Sequence, residues 1–312
     1  MRLYPIIIAC FTDLIFGDPQ WFRLHPVRLI GKLIKKLETL CKNKKLDGIF
    51  VVITVVGVTF LVTFLITGLA HKMNFYIWVI ISSFLIYTSI SIKDLKVESM
   101  EVYGALQEKN LLKARRNLSM IVGRDTENLT EKEIIRATVE TIAENIVDGI
   151  ISPLFYAFIG GAPLALAYKA VNTLDSMIGY KAEKYKNLGW FAAEVDDIVN
   201  FIPAVISGIL IPVASFLSGK NFINSLKTVL RDGIKNPVSG IPESAIAGAL
   251  QVQLGGLNFY NSSPVMKPFL GEDKNLLEEK HIKESIKIVY VCAFLTLILG
   301  CALWNIAKYS MK

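Results

Sequence analysis

The chain has 312 residues, 53% of them hydrophobic, and a mean hydropathy of +0.46, which is too apolar for an ordinary soluble domain and long enough for several membrane crossings. Its net charge of +7 suits phosphate-bearing ligands or anionic lipid. Four cysteines, at 10, 41, 292 and 301, show no metal-ligand spacing, and no P-loop, dinucleotide-binding glycine motif, H-E-x-x-H or C-x-x-C is present, so familiar nucleotide and zinc folds are set aside and no nucleic-acid partner is expected.

In chain order, Leu3 to Phe16 is a short apolar helix that holds Asp13 and runs into Gly17-Asp18-Pro19 rather than a small-residue cleavage site, so it reads as retained. The next segment carries Arg23, Arg28, Lys32, Lys35, Lys36, Lys42, Lys44 and Lys45 against Asp18, Glu38 and Asp47, which predicts a cytoplasmic loop. Ile49 to Ala70 bears no charge over 22 residues and can cross a hydrocarbon core of roughly 30 Å. Phe75 to Ile92 follows after a turn at 71–74 and pairs with it as a helical hairpin. Lys93 to Ile135 then reads as cytoplasmic helices, basic and amphipathic from Asn110 to Met120, with a capping box at Thr130 and Glu133.

Ile146 to Ile159 and Pro163 to Ile178 are short for spans and are joined by Gly160-Gly161-Ala162-Pro163, which predicts a hairpin of short or re-entrant helices. Ile198 to Leu217 contains Pro203, Gly208 and Pro212, and is either a single crossing or a broken or re-entrant helix. Ile288 to Ala307 is charge-free over 20 residues and spans. The expectation is an all-α, polytopic integral membrane protein with short or re-entrant helical hairpins and cytoplasmic helical loops, treated as one unit over residues 1–312.

Chemistry-bearing side chains concentrate between Arg136 and Asn200, beside apolar runs where an unpartnered charge is expensive. Arg136, Glu140, Glu144 and Asp148 recur every four residues and form one helical stripe. Stacked carboxylates repel unless protonated or bridged, so the stripe is either a solvated acidic face or part of a divalent-ion site. Tyr168, Lys169, Asn172, Thr173, Asp175, Ser176 and Tyr180 form a second polar set at helical spacing. There Lys169 either pairs with an aspartate or binds phosphate or carboxylate. Asp196, Asp197 and Asn200 suit a hard cation or a helix N-terminal turn. His25-Pro26 offers an acid-base or phosphate contact. Residues 231–244, with Asn236, Ser239 and Glu243, precede a small-residue run from Ala245 to Gly256 whose backbone could approach a large ligand.

Taken in order, GDP…HPV…IG, R-A-x-V-E-x-x-A-E-N-x-x-D-G, SPLFYAFIGGAPLALAYKAVNTLDSMIGY, DDIVNFIPA and IPESAIAGALQVQLGG resemble the CobD/CbiB family, the adenosylcobinamide-phosphate synthases of cobalamin biosynthesis. The resemblance covers nearly the whole chain. It implies ATP-dependent joining of (R)-1-aminopropan-2-ol phosphate to a propionate of adenosylcobyric acid, and a multi-pass location in the cell membrane. Where many members have Ser-Pro-Asn before the glycine this chain reads Asn236-Pro237-Val238-Ser239-Gly240, which bears on the amino phosphate preferred.

A mechanism follows as an expectation. Glu144, Asp148 and Asp197 hold Mg²⁺ on ATP, and Lys169 and Arg136 contact phosphate, with His25, Asn172, Asn236 and Ser239 as further binding groups. Asp175 or Glu243 accepts a proton from the incoming amine. The corrinoid substrate lies against residues 245–256. The active site is expected on the cytoplasmic side, and other membrane enzymes of late cobalamin assembly are possible partners. A transporter or a noncatalytic sensor on the same scaffold is the alternative.

Overall fold

In the computed structural model the described residues are 3–18, 22, 24–42, 44–179 and 185–310. Pro19, Arg23 and Tyr180, singled out above, lie outside them. The chain divides into two compact units, one of Met1–Lys93, Asp148–Asn200 and Leu297–Lys312, the other of Asp94–Val147 and Phe201–Thr296.

The first unit opens with α1 (Leu3–Phe16), α2 (Pro26–Leu40), α3 (Lys45–Met73) and α4 (Phe75–Tyr87). Asp13 of α1 is buried, and its Oδ2 accepts the N–H groups of Ile92 and Lys93 at 2.9 and 3.2 Å, satisfying two orphan donors where the next helix begins. The unit also holds α8 (Ser152–Gly160) and α9 (Ala162–Ile178), which turn on Gly161 at φ +70°, a conformation that favours glycine. Ile30 and Ile34 of α2, Val51, Val52 and Val55 of α3, and Ala170, Leu174 and Ile178 of α9 form its core.

The second unit contains α5 (Ile92–Gln107) from Asp94 onward, α6 (Leu111–Ser119), α7 (Glu131–Ile146), α11 (Phe222–Asp232), α12 (Pro237–Leu250) and most of α13 (Lys280–Ser310). Thr130 and Glu133 make the expected capping box at the start of α7. A β-hairpin, β1 (Leu254–Tyr260) paired antiparallel with β2 (Ser263–Leu270), is the one sheet among the described residues.

One expectation is corrected and one open alternative is closed. The segment from Ile146 is not the arm of a separate short hairpin. A π-helical turn at Val147–Ile151 carries α7 into α8, giving a 30-residue helical run, Glu131–Gly160, although α8 does fold back on α9. Nor is α10 (Trp190–Leu217) broken: Pro203 and Pro212 lie inside one helix of 28 residues. Pro203 removes the N–H that Val199 C=O would accept, and the Tyr156 hydroxyl donates to that carbonyl instead, at 2.9 Å. Among the described residues five helices are long and apolar enough to cross a membrane: Lys45–Met73, Phe75–Gln107, Glu131–Gly160, Trp190–Leu217 and Lys280–Ser310. Among the described residues the regular structure is helical apart from the small hairpin, which is consistent with a multi-pass membrane protein.

Candidate functional site

In the first unit, α8, α9 and the start of α10 bring one set of polar side chains together. Lys169 Nζ donates to Asn172 Oδ1 at 3.4 Å, and Asn172 Nδ2 donates to Asp148 Oδ2 at 3.4 Å, a relay from ammonium to carboxylate through one amide. Asn172 also reaches Asp196. Asp196 Oδ2 accepts from Asn200 Nδ2 at 2.9 Å, while Asn200 Oδ1 accepts from Ser152 Oγ at 2.6 Å and from the Tyr168 hydroxyl at 3.0 Å. Tyr168 stacks on Tyr156, centroids 5.3 Å apart. Asp175 lies near Asp196, its carboxylate folded over Gly179, where a Cβ would stand 2.0 Å from Asp175 Oδ1.

Thus Asp148, Lys169, Asn172 and Asp175 share one cluster. Asp197 is exposed, and its neighbour Asp196, 7% exposed, takes the inward place. Successive helical residues are about 100° apart, so only one of the pair can face Asn200, and the i, i+4 spacing selects Asp196. Tyr168, Asp196 and Asn200, already in the polar sets read from the sequence, belong to this cluster, and Ser152 joins them.

The second unit holds a separate network. Arg124 Nη2 lies 2.6 Å from Glu140 Oε2, and Glu140 Oε1 accepts the Gly255 N–H at 2.8 Å. Arg136 donates to Gly255 C=O at 2.6 Å and Leu257 C=O at 2.8 Å, and reaches Asn258 Oδ1 at 3.2 Å, a bond Arg124 also makes at 2.7 Å. Arg136 thus anchors the hairpin through its two Nη groups, with Nε 3.8 Å from Glu140 Oε1. Lys267 Nζ of β2 stands 3.4 Å from Glu144 Oε1 and 3.5 Å from Glu243 Oε1. Burial opposes the Lys267 ammonium, but Glu144 and Glu243 outweigh it and hold its pKa above the ordinary lysine value. Burial first, and then the facing Glu144, push the Glu243 carboxyl well above the usual range, with Lys267 opposing in part.

The repulsion expected along the stripe is therefore relieved by Arg124, Arg136 and Lys267. Among the described residues no group of three or more His, Cys, Asp or Glu side chains is placed to hold a metal ion. Mg²⁺ commonly takes one or two carboxylates and completes its shell with water and substrate phosphate, so a pair of these carboxylates is the donor class such an ion takes.

Other expected contacts sit elsewhere. His25, buried, has its Nε2 3.1 Å from Asp18 Oδ1 ahead of α2. Asn236, exposed, donates to Ser239 Oγ at 2.9 Å at the start of α12. The small-residue run does not lie open to a macrocycle: Gly240 to Leu250 are all buried, and a Cβ on Gly248 would stand 2.5 Å from Asn224 C=O of α11, so these residues let two helices pack.

A sequence model of the family described as "CobD/Cbib protein" matches residues 6–289. The chain belongs to the CobD/CbiB family. It is similar to the cobalamin biosynthesis protein CobD of Clostridium perfringens, 47% identical with 96% of each chain covered, and to that of Clostridium tetani, 47% identical over the full length of both. The CobD protein of Listeria monocytogenes serotype 4b is 40% identical, with 94% of this chain and 95% of the relative covered. No solved structure matches. For a CobD/CbiB chain the first-unit cluster carries interest, because it is built from the three sequence blocks around Asp148, Lys169 and Asp196.

Proposed function

We propose that this CobD/CbiB-family chain is an ATP-dependent amide-forming synthase of cobalamin biosynthesis. It joins (R)-1-aminopropan-2-ol phosphate to a propionate of adenosylcobyric acid, in a cell membrane and with its site toward the cytoplasm. The observation that carries this reading is the Lys169–Asn172–Asp148 relay with Asp175 and Asp196 beside it, which sets a cation and several carboxylates on packed helices.

An unactivated carboxylate does not form an amide in water, and ATP supplies the activation by converting it to an acyl phosphate. Lys169 contacts phosphate oxygens and offsets the charge that develops there. Asp148 and Asp196 supply the carboxylates for Mg²⁺ carried by the nucleotide. Asp175 accepts a proton from the ammonium of the amino phosphate, so that the neutral amine attacks the acyl carbon, the C–N bond forms and phosphate leaves. Glu243 lies against Lys267 on the hairpin, whereas Asp175 stands beside Asp196, so the role is assigned to Asp175.

The test is to incubate the purified protein in detergent with adenosylcobyric acid, ATP, Mg²⁺ and candidate amino phosphates, following the corrinoid mass and ADP release. Condensation with one ADP per amide is expected. An unchanged corrinoid with no ADP formed would favour a carrier or sensor and overturn the proposal.

A further inference from the structure

α11 spans 11 residues and is about 16 Å long, far too short to cross a hydrocarbon core of roughly 30 Å. Even so it exposes an apolar row. Ile223 is 60% exposed, Leu230 60% and Ile234, just past the helix end, 56%, at spacings that put all three on one face. The opposite face, with Ser225, Thr228 and Val229, is buried. Lys227 stands on the flank of the row, and Lys235 follows it. Both are exposed, and neither makes an ion pair among the described residues.

Two further observations say what covers this row. α10, a candidate span, ends at Leu217 with Phe216 64% and Leu217 57% exposed, and only residues 218–221 separate it from α11. Four residues reach at most about 14 Å, so Ile223 starts close to the end of a lipid-facing surface. Beside Lys227 lies a cleft of about 360 Å³ whose lining includes Arg231, Gln251, Glu272 and Lys274. Arg231 there pairs with Asp232 and Glu272, and Lys274 pairs with Glu272, so Lys227 is the lining cation with no ion pair among the described residues.

We propose that α11 lies along the bilayer surface, with Ile223, Leu230 and Ile234 among the acyl chains and Lys227 and its neighbouring cleft against the phosphates of anionic lipid. An apolar row flanked by lysine is the pattern of helices that bind in the plane of the interface. Lys227 can extend its ammonium to the headgroups while its stem covers the row.

The experiment places photo-crosslinking benzoylphenylalanine at 223, 230 or 234 of the full chain in nanodiscs of phosphatidylcholine and phosphatidylglycerol, with exposed Ser262 as the control position. Lipid adducts at the three row positions, several-fold above Ser262, are expected. Yields at the control level, or crosslinks to protein alone, would overturn the proposal. In the second arm, Lys227→Ala and Lys235→Ala should each lower retention of phosphatidylglycerol about fivefold, from ~1 kcal/mol per basic residue at an anionic surface. Unchanged retention, or displacement of the lipid by millimolar inorganic phosphate, would show a soluble-phosphate site instead and would also overturn it.

Discussion

Arg124 and Glu140 form a buried ion pair across the second unit, Nη2 to Oε2 2.6 Å apart, with side-chain exposures of 5% and 0%. Each partner also bonds the hairpin: Arg124 donates to Asn258 Oδ1, and Glu140 accepts from Gly255 N–H. Removing one partner strands the other as an uncompensated buried charge, at about 3–5 kcal/mol. Arg124→Ala is therefore expected to lower the denaturation midpoint in detergent strongly. The double replacement Arg124→Met with Glu140→Leu should cost less than Arg124→Ala, because the fully buried carboxylate is removed along with its partner, while Arg136, which also faces Glu140, keeps its carbonyl acceptors. A double variant as unstable as the single one would show that the pair is not what holds the hairpin.

Glu243 makes a prediction in pH. Its carboxyl titrates well above the ordinary 4.5 because it is buried and faces Glu144, with Lys267 opposing in part. Between 4.5 and that raised value the folded state binds more proton than the unfolded one, so stability falls as pH rises through the window. Glu243→Gln keeps a neutral side chain at every pH. The stability difference, variant minus parent, should therefore grow in the variant's favour from pH 5 upward in denaturation at fixed detergent. A difference that shrinks over the same range would mean the carboxyl is ionised in the folded protein. Because Asp175 is the proposed base, Glu243→Gln should also keep most amide-forming activity at neutral pH.

The spans were legible because hydrophobic length alone identifies them: Ile49–Ala70 lies within α3 and Ile288–Ala307 within α13. The Thr130–Glu133 box was legible because a cap is decided by residues three apart. Pro203 left α10 undecided, since the hydroxyl that satisfies Val199 comes from Tyr156, 43 positions away. Separation in sequence also hid Lys267, which reaches Glu144 and Glu243 from a strand that the hydrophobic pattern did not announce. Asp196, by contrast, was available from the sequence: its i, i+4 relation to Asn200 puts both on one helical face.

That relation separates two neighbouring aspartates. Asp196 is bonded to Asn200 at 2.9 Å, whereas Asp197 is exposed. Asp196→Asn should lower the rate of amide formation by about 10²–10³-fold, the usual loss when one group that stabilises developing charge is removed. Asp197→Asn should stay within a few-fold of the parent. Asp148→Ala, Lys169→Ala and Asp175→Ala should each fall with Asp196→Asn while the protein remains in the membrane fraction. Product formation measured by corrinoid mass decides it, and equal losses at 196 and 197 would refute the inward assignment.

Gly255 and Gly256 sit at φ +84° and +89°, where β1 shifts register against β2. Glycine is required there twice over. Side chains disfavour those dihedrals, and a Cβ on Gly255 would stand 2.0 Å from Pro268 C=O, a backbone atom that cannot swing away. A Cβ on Gly256 would meet Arg136 Nη1 and Phe269 at 3.0 Å, contacts that side-chain movement can relieve. Gly255→Ala is therefore expected to destabilise the second unit by more than the ~1–3 kcal/mol of dihedral strain alone, and Gly256→Ala by about that strain. Gly255→Ala should also loosen Arg136 and Glu140, which bind the C=O and N–H of residue 255, and so raise amide hydrogen exchange across 254–270. If exchange in the hairpin is unchanged in Gly255→Ala, the bulge is not the element that fixes the strand against α7.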